Sequence, residues 1–146
     1  MGDLNILIGN RLKELTFIKE FGFYLIEEAF NEEFCFVFHN ISKNKKIRIK
    51  YYPCYADKSP FEGFSIAIKK HPFQFAEDTL IIENYLKYKK IEINYEKFSL
   101  LSYRGSFKER LNLFLEYIDN TFHKHLKGII EGEEWETLPV NWGPYK

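Results

Sequence analysis

Cysteine is scarce: Cys35 and Cys54 are the only two in 146 residues. That is too few for a disulfide framework, so two separate thiols are expected. A net excess of charge of either sign is missing as well. Lys plus Arg and Asp plus Glu each number 21, which removes any global pull towards nucleic acid or an anionic membrane. Long apolar runs are absent; no uncharged stretch is longer than Phe34 to Ser42, and nothing has the length of a bilayer span. The opening Met1-Gly2-Asp3-Leu4 lacks the basic-then-apolar pattern of a secretory signal, so the expected address is the cytoplasm. The 8 glycines are scattered and form no phosphate cradle. No H-E-x-x-H, C-x-x-C or G-x-S-x-G occurs, and these are the patterns that bring metal ligands or a nucleophile together locally. His123 and His125 lie two apart on a helical pattern and point nearly opposite ways. No metal, cofactor or catalytic residue is assigned.

What the chain has in quantity is aromatic residues: 15 Phe and 10 Tyr within an aromatic share of 18%. Rings at this density either fill a core or line an apolar cavity. Hydrophobic residues at 45% and charged residues at 29% belong to a folded domain, and the length suits one domain over 1–146.

Periodicity supplies the layout. Ser106-Phe107-Lys108-Glu109 has the capping-box form. Behind it Leu111, Phe114, Leu115, Ile118, Phe122, Leu126 and Ile129 recur on one helical face, predicting a rod of about 30 Å at about 1.5 Å per residue. Gly128 and Gly132 mark its expected end. Residues 3–20 predict a second helix, with Asp3 as cap, a stripe of Leu4, Leu7, Ile8, Leu12, Leu15 and Ile18, and Gly22 as stop. Phe23 to Phe30 and Phe34 to Phe38 predict two strands, the second apolar on both faces. Cys35 is expected to behave there as a buried small hydrophobe. From Lys46 to Tyr52, Ile47, Ile49 and Tyr51 alternate with Arg48, Lys50 and Tyr52, predicting a strand with one buried face. Pro53 either ends it or puts it at an edge. Phe64, Ile66 and Ile68 alternate with Ser65, Ala67 and Lys69 in a fourth. Asp78 is expected to cap a short helix over 79–89, and Ile91 to Tyr95 is a candidate fifth strand or an extended link. The tail, 131–146, is expected to be extended, with Trp135 or Trp142 covering Leu113 and Tyr117. The class is α+β: an antiparallel sheet of four to five strands with an N-terminal and a long C-terminal helix packed on one face.

Two surfaces are candidates for function. Glu131, Glu133, Glu134 and Glu136 surround Trp135, an arrangement able to dock a basic protein with the indole as anchor; its bland explanation is a solvated terminus with one packed Trp. Glu27, Glu28, Glu32 and Glu33 form a second acidic cluster. Arg48, Lys50 and Tyr52, from the basic stretch Lys43 to Lys50, would share one strand face, and basic plus aromatic residues suit single-stranded nucleic acid. Its bland explanation is an edge strand that uses charge to discourage aggregation, and nucleic acid is not the expected partner.

The order of elements resembles small single-domain immunity proteins of bacterial polymorphic toxin systems. The likeness rests on a Phe-rich hairpin, the Ile47–Tyr52 strand, and a late helix running into Gly132-Glu133-Glu134-Trp135. It implies a cytoplasmic protein that binds and neutralises one toxin without catalysis of its own. The expectation is therefore a non-enzymatic protein-binding domain, without cofactor or membrane, taking a protein partner that is basic. The alternatives are a carrier of a small apolar ligand in an aromatic cavity, and an enzyme whose site is assembled from distant residues.

Overall fold

A computed structural model describes residues 2–30, 34–40, 42–52, 63–71, 73 and 78–131, with the side chains of residues 2–5 aside. Its centre is an antiparallel meander of five strands: β1 (Tyr24–Phe30), β2 (Phe34–Asn40), β3 (Lys45–Tyr52), β4 (Gly63–Lys70) and β5 (Thr79–Ile81). They lie side by side in chain order. Strict alternation in β3 becomes strict alternation of buried and half-buried residues. β3 is the third strand of five, so Pro53 does not follow an edge strand.

Register stacks the core in rows. Phe34 pairs with Tyr51 and Tyr51 with Phe64; Phe36 pairs with Ile49 and Ile49 with Ile66; Phe38 pairs with Ile47, then Ile68, then Leu80. On this face lie α1 (Gly2–Lys13), α2 (Thr16–Glu20) and α4 (Phe107–Thr121), whose apolar residues join the same core cluster. Gly9 lets α1 approach closely: a Cβ there would stand 3.2 Å from the Phe36 ring. The ring of Phe114 stacks on Phe64 at 4.8 Å, and Phe107 meets Tyr51 edge-on at 5.7 Å.

The late helix begins as its sequence demands. The Ser106 hydroxyl accepts from Glu109 N–H at 3.2 Å, and the Glu109 carboxylate accepts from Ser106 N–H at 3.3 Å. All seven residues of its predicted stripe are buried. The rod is not uniform. After Thr121 it widens into one π-helical turn, Phe122–Leu126, and finishes as α5 (Lys127–Ile130). Gly128 is inside α5 and does not stop it.

The N-terminal helix departs from expectation. Asp3 lies within α1, which starts at Gly2, so it is not a preceding cap. Nor is 3–20 one helix: Leu15 turns extended and α2 starts afresh. The break comes from the other end of the chain. The Asp119 carboxylate on α4 accepts from Thr16 N–H at 3.1 Å, Thr16 hydroxyl at 2.6 Å and Phe17 N–H at 2.9 Å. These satisfy donors that a new helix start leaves open. Phe17 then lies flat on Phe122, ring centroids 3.8 Å apart. His123 closes the contact. Its Nδ1 faces Asp119 carbonyl oxygen at 2.8 Å and its Nε2 faces a Glu20 carboxylate oxygen at 2.6 Å. Both partners are acceptors, so only the doubly protonated ring satisfies both. The bond to the Asp119 carbonyl, then the Glu20 carboxylate, hold its pKa above the ordinary histidine value. Gly22 ends α2 as expected, at φ +77°, with Phe23 N–H donating to Ile18 carbonyl at 2.8 Å.

Between the sheet and α4 the expectations invert. Residues 79–81, read as helix, form β5, because Leu80 completes the Phe38–Ile47–Ile68 row. The helix that follows, α3, spans only Ile82–Tyr88. Ile91 to Tyr95 is no strand; two 3₁₀ turns, Tyr95–Phe98 and Leu100–Ser102, follow it. Three tyrosine hydroxyls tie this irregular segment together and to α4. Tyr95 donates to Ile91 carbonyl at 2.7 Å, Tyr103 to Lys97 carbonyl at 2.8 Å, and Tyr117 to Asn94 carbonyl at 3.0 Å. Burial raises all three phenol pKa values, Tyr103 to about 12. Tyr117 is thus covered by the segment around Asn94 and Phe98, its ring edge-on to Phe98 at 5.5 Å. Leu113 is 47% exposed. Trp135 and Trp142, expected to cover both, lie outside the described residues, as does the tail from 132 onward.

Candidate functional site

The second face of the sheet carries the candidate site. Pleating sends alternate residues there. Register sets them in rows: Tyr24, His39, Lys46, Lys69 and Thr79; then Glu27, Val37, Arg48, Ala67 and Ile81; then Ala29, Cys35, Lys50 and Ser65. Tyr52 and Gly63 close the far end. Arg48, Lys50 and Tyr52 therefore share one face, as their spacing requires, and each is half-buried. Lys46, between Lys45 and Ile47 in the same strand, joins them. Lys69 comes from β4 and stands directly opposite Lys46. The alternation of Ser65, Ala67 and Lys69 already put Lys69 on the polar side of its strand. What was missing was the register that sets that side beside Arg48.

The floor beneath the cations is apolar. Ala67 is fully buried and Val37 is 9% exposed. Cys35, expected to be buried, is half-buried here because its side chain points to this face and not into the Phe34–Phe36–Phe38 layer. Lys69 sits among Arg48, Lys46 and Lys50; burial first, and then these three cations in that order, pull its amine below the usual lysine pKa. A second lysine pair, Lys45 opposite Lys70, flanks the same end of the hairpin. Lys45 is 6% exposed, and burial followed by Lys43 and Lys70 lowers its pKa.

Aromatic rings border the patch. Tyr24 is 47% exposed. Phe73, at φ +64°, holds the Lys46 ammonium 4.5 Å from its ring centroid and meets His39 edge-on at 6.1 Å. His39 Nε2 is buried and makes no hydrogen bond. Burial, then Lys46, pull its pKa below the ordinary value, so it is neutral near pH 7. Glu27, exposed on β1, is the acidic boundary in the Arg48 row.

Elsewhere the expectations part. Glu131 is exposed just beyond α5, whereas Glu133, Glu134, Trp135 and Glu136 lie outside the described residues. Glu28 is exposed on β1; Glu32 and Glu33 are outside the described residues, as is Cys54. Among the described residues there is no group of three or more His, Cys, Asp or Glu placed to hold a metal, and no helix long and apolar enough to cross a membrane. A half-open cavity of about 270 Å³ lies where β5 stops short of the start of β4, lined by Phe64, Ile66, Ile82, Phe98 and Phe114 with Ser65 and Glu83 among its polar groups. Compared with known proteins, the chain matches no family model, no curated protein and no solved structure.

Proposed function

We propose that the chain is a non-enzymatic binding domain that neutralises a protein partner by covering it, in the manner of the toxin-immunity proteins its layout resembles. One observation supports this most: the sheet offers a broad pleated face, with half-buried cations and rings standing on the Val37–Ala67 floor. Cations and rings spread over a flat face suit a protein surface of complementary charge. Glu131 and the acidic segment after it, with Trp135 as anchor, are a second contact in this reading. The test is affinity isolation of the full chain from its native cells. One protein should come with it in fixed ratio, and the chain should relieve that protein's toxicity when the two are expressed together. Isolation of the chain alone, or a partner whose activity it leaves untouched, would overturn the proposal. Charge reversal at Glu133, Glu134 and Glu136 should weaken the complex; full affinity would remove the acidic segment from the contact.

The cavity supports a second reading, a small apolar ligand held against Phe64, Phe98 and Phe114. A ligand present at about 100 times its Kd would stabilise the chain by about 2.7 kcal/mol. A panel of fatty acids and aromatic compounds that left the melting temperature unchanged would dismiss it.

A further inference from the structure

We propose that the partner meets the sheet with an acidic protein surface, and that Lys46, Arg48, Lys50 and Lys69 are the side chains that recognise it. This rests on the binding-domain reading and reverses the sign expected of the partner from the acidic segment alone.

The argument begins with placement. Lys46, Arg48 and Lys50 are two residues apart along β3, so their side chains leave the same face at intervals of about 7 Å. Lys69 stands across from Lys46 and diagonal to Arg48. Like charges directly opposite on neighbouring strands destabilise a sheet. Here the arrangement occurs twice in one hairpin, Lys46 with Lys69 and Lys45 with Lys70. Charges of this kind are common on edge strands, where they block unwanted pairing. That explanation fails for β3, which has two strands on either side. Among the described residues no carboxylate is paired with Arg48 or Lys69. Arg48 and Lys69 therefore stand close together with no carboxylate of the described residues to offset their repulsion, and carboxylates from outside would relieve it. Burial first, and then these same cations, lower the pKa of the Lys69 amine.

The size of the patch favours a protein over a nucleic acid strand. It is bounded by Glu27 in the Arg48 row and belongs to a chain of zero formal net charge. A polyanion that continues past the patch meets acid on β1 and gains nothing beyond it. A folded partner with a local cluster of Asp or Glu gains the full match.

The probes are a poly-glutamate peptide and an oligo-dT strand of equal charge, titrated into the full chain at low and at physiological salt. Poly-glutamate should bind, weaken with salt, and lose about tenfold or more in affinity in the double variant R48E/K69E. The variant K69Q, read by urea denaturation, should be at least as stable as the parent, because it removes repulsion and keeps most of the side-chain stem. Failure of poly-glutamate to bind at low salt, undiminished binding by folded R48E/K69E, or a loss of stability in K69Q would overturn the assignment. So would tighter binding of oligo-dT, which would make this a nucleic-acid face. If poly-glutamate behaves as expected but no protein accompanies the chain from cells, the face stands and the neutralising function falls. If a partner is isolated that R48E/K69E still holds fully, the function stands and the face falls.

Discussion

Replacing Asp119 with alanine tests the join between the two ends of the fold. Its carboxylate receives three donors: Thr16 N–H, Thr16 hydroxyl and Phe17 N–H. Loss of a helix cap costs about 0.5–2 kcal/mol. The Phe17 N–H sits beside a fully buried ring, so stranding it adds to that cost. We expect D119A to lose about 2 kcal/mol. With a urea slope of roughly 2 kcal/mol/M, the denaturation midpoint should fall by roughly 1 M. D119N keeps one acceptor oxygen and should lose about half as much. T16V removes only the hydroxyl donor and should lose about 1 kcal/mol. The double variant D119A/T16V should fall short of the sum by about 1 kcal/mol, since the hydroxyl has nothing to bond once the carboxylate is gone. A midpoint for D119A within error of the parent, or strict additivity, would refute the claim that this carboxylate starts α2.

Four further outcomes follow from the same structure. His123 has a folded pKa above its ordinary value, so the stability it adds is fully present below about pH 6.5 and is lost as pH rises through the folded value. Because His123 and Glu20 are 34% and 61% exposed, screening holds this to under about 1 kcal/mol, and H123Q should abolish that part of the urea-midpoint pH profile. His39 acts in the opposite sense: its folded pKa is lowered, so its contribution is present above about pH 6.5 and is lost as pH falls through the folded value; H39Q should flatten that limb. Phe122, fully buried and stacked on Phe17, should cost about 3–5 kcal/mol when truncated to alanine, measured by the same denaturation. Y103F removes the donor to Lys97 carbonyl and should cost about 1 kcal/mol; it should also remove one late-ionising tyrosine from an alkaline absorbance titration.

Features whose causes lie within a few residues were readable in the sequence. Ser106 and Glu109 are three apart, and both halves of their box form. The alternation of β3 and the apolar stripe of α4 are visible because each element repeats its own period. Where the cause is distant, the string is silent. Nothing near Leu15 announces a break, because the carboxylate that starts α2 comes from Asp119. Thr79-Leu80-Ile81 has no strand signature of its own; its pairing partner on β4 makes it one. The candidate face was half visible for the same reason. Arg48, Lys50 and Tyr52 follow from spacing alone, whereas Lys69 joins them only through register.

The contact of Asp119 and His123 with residues 16–20 has a consequence for how the chain is made. Each strand of the meander neighbours the one synthesised just before it, so successive hairpins can close while later residues are still inside the ribosome. Thr16, Phe17 and Glu20 cannot. They leave the exit tunnel early and wait, greasy ring included, until more than two thirds of the chain has followed. This latch then shuts last, so F17A should hasten unfolding far more than it slows refolding, and equal effects on the two rates would show that the latch closes early.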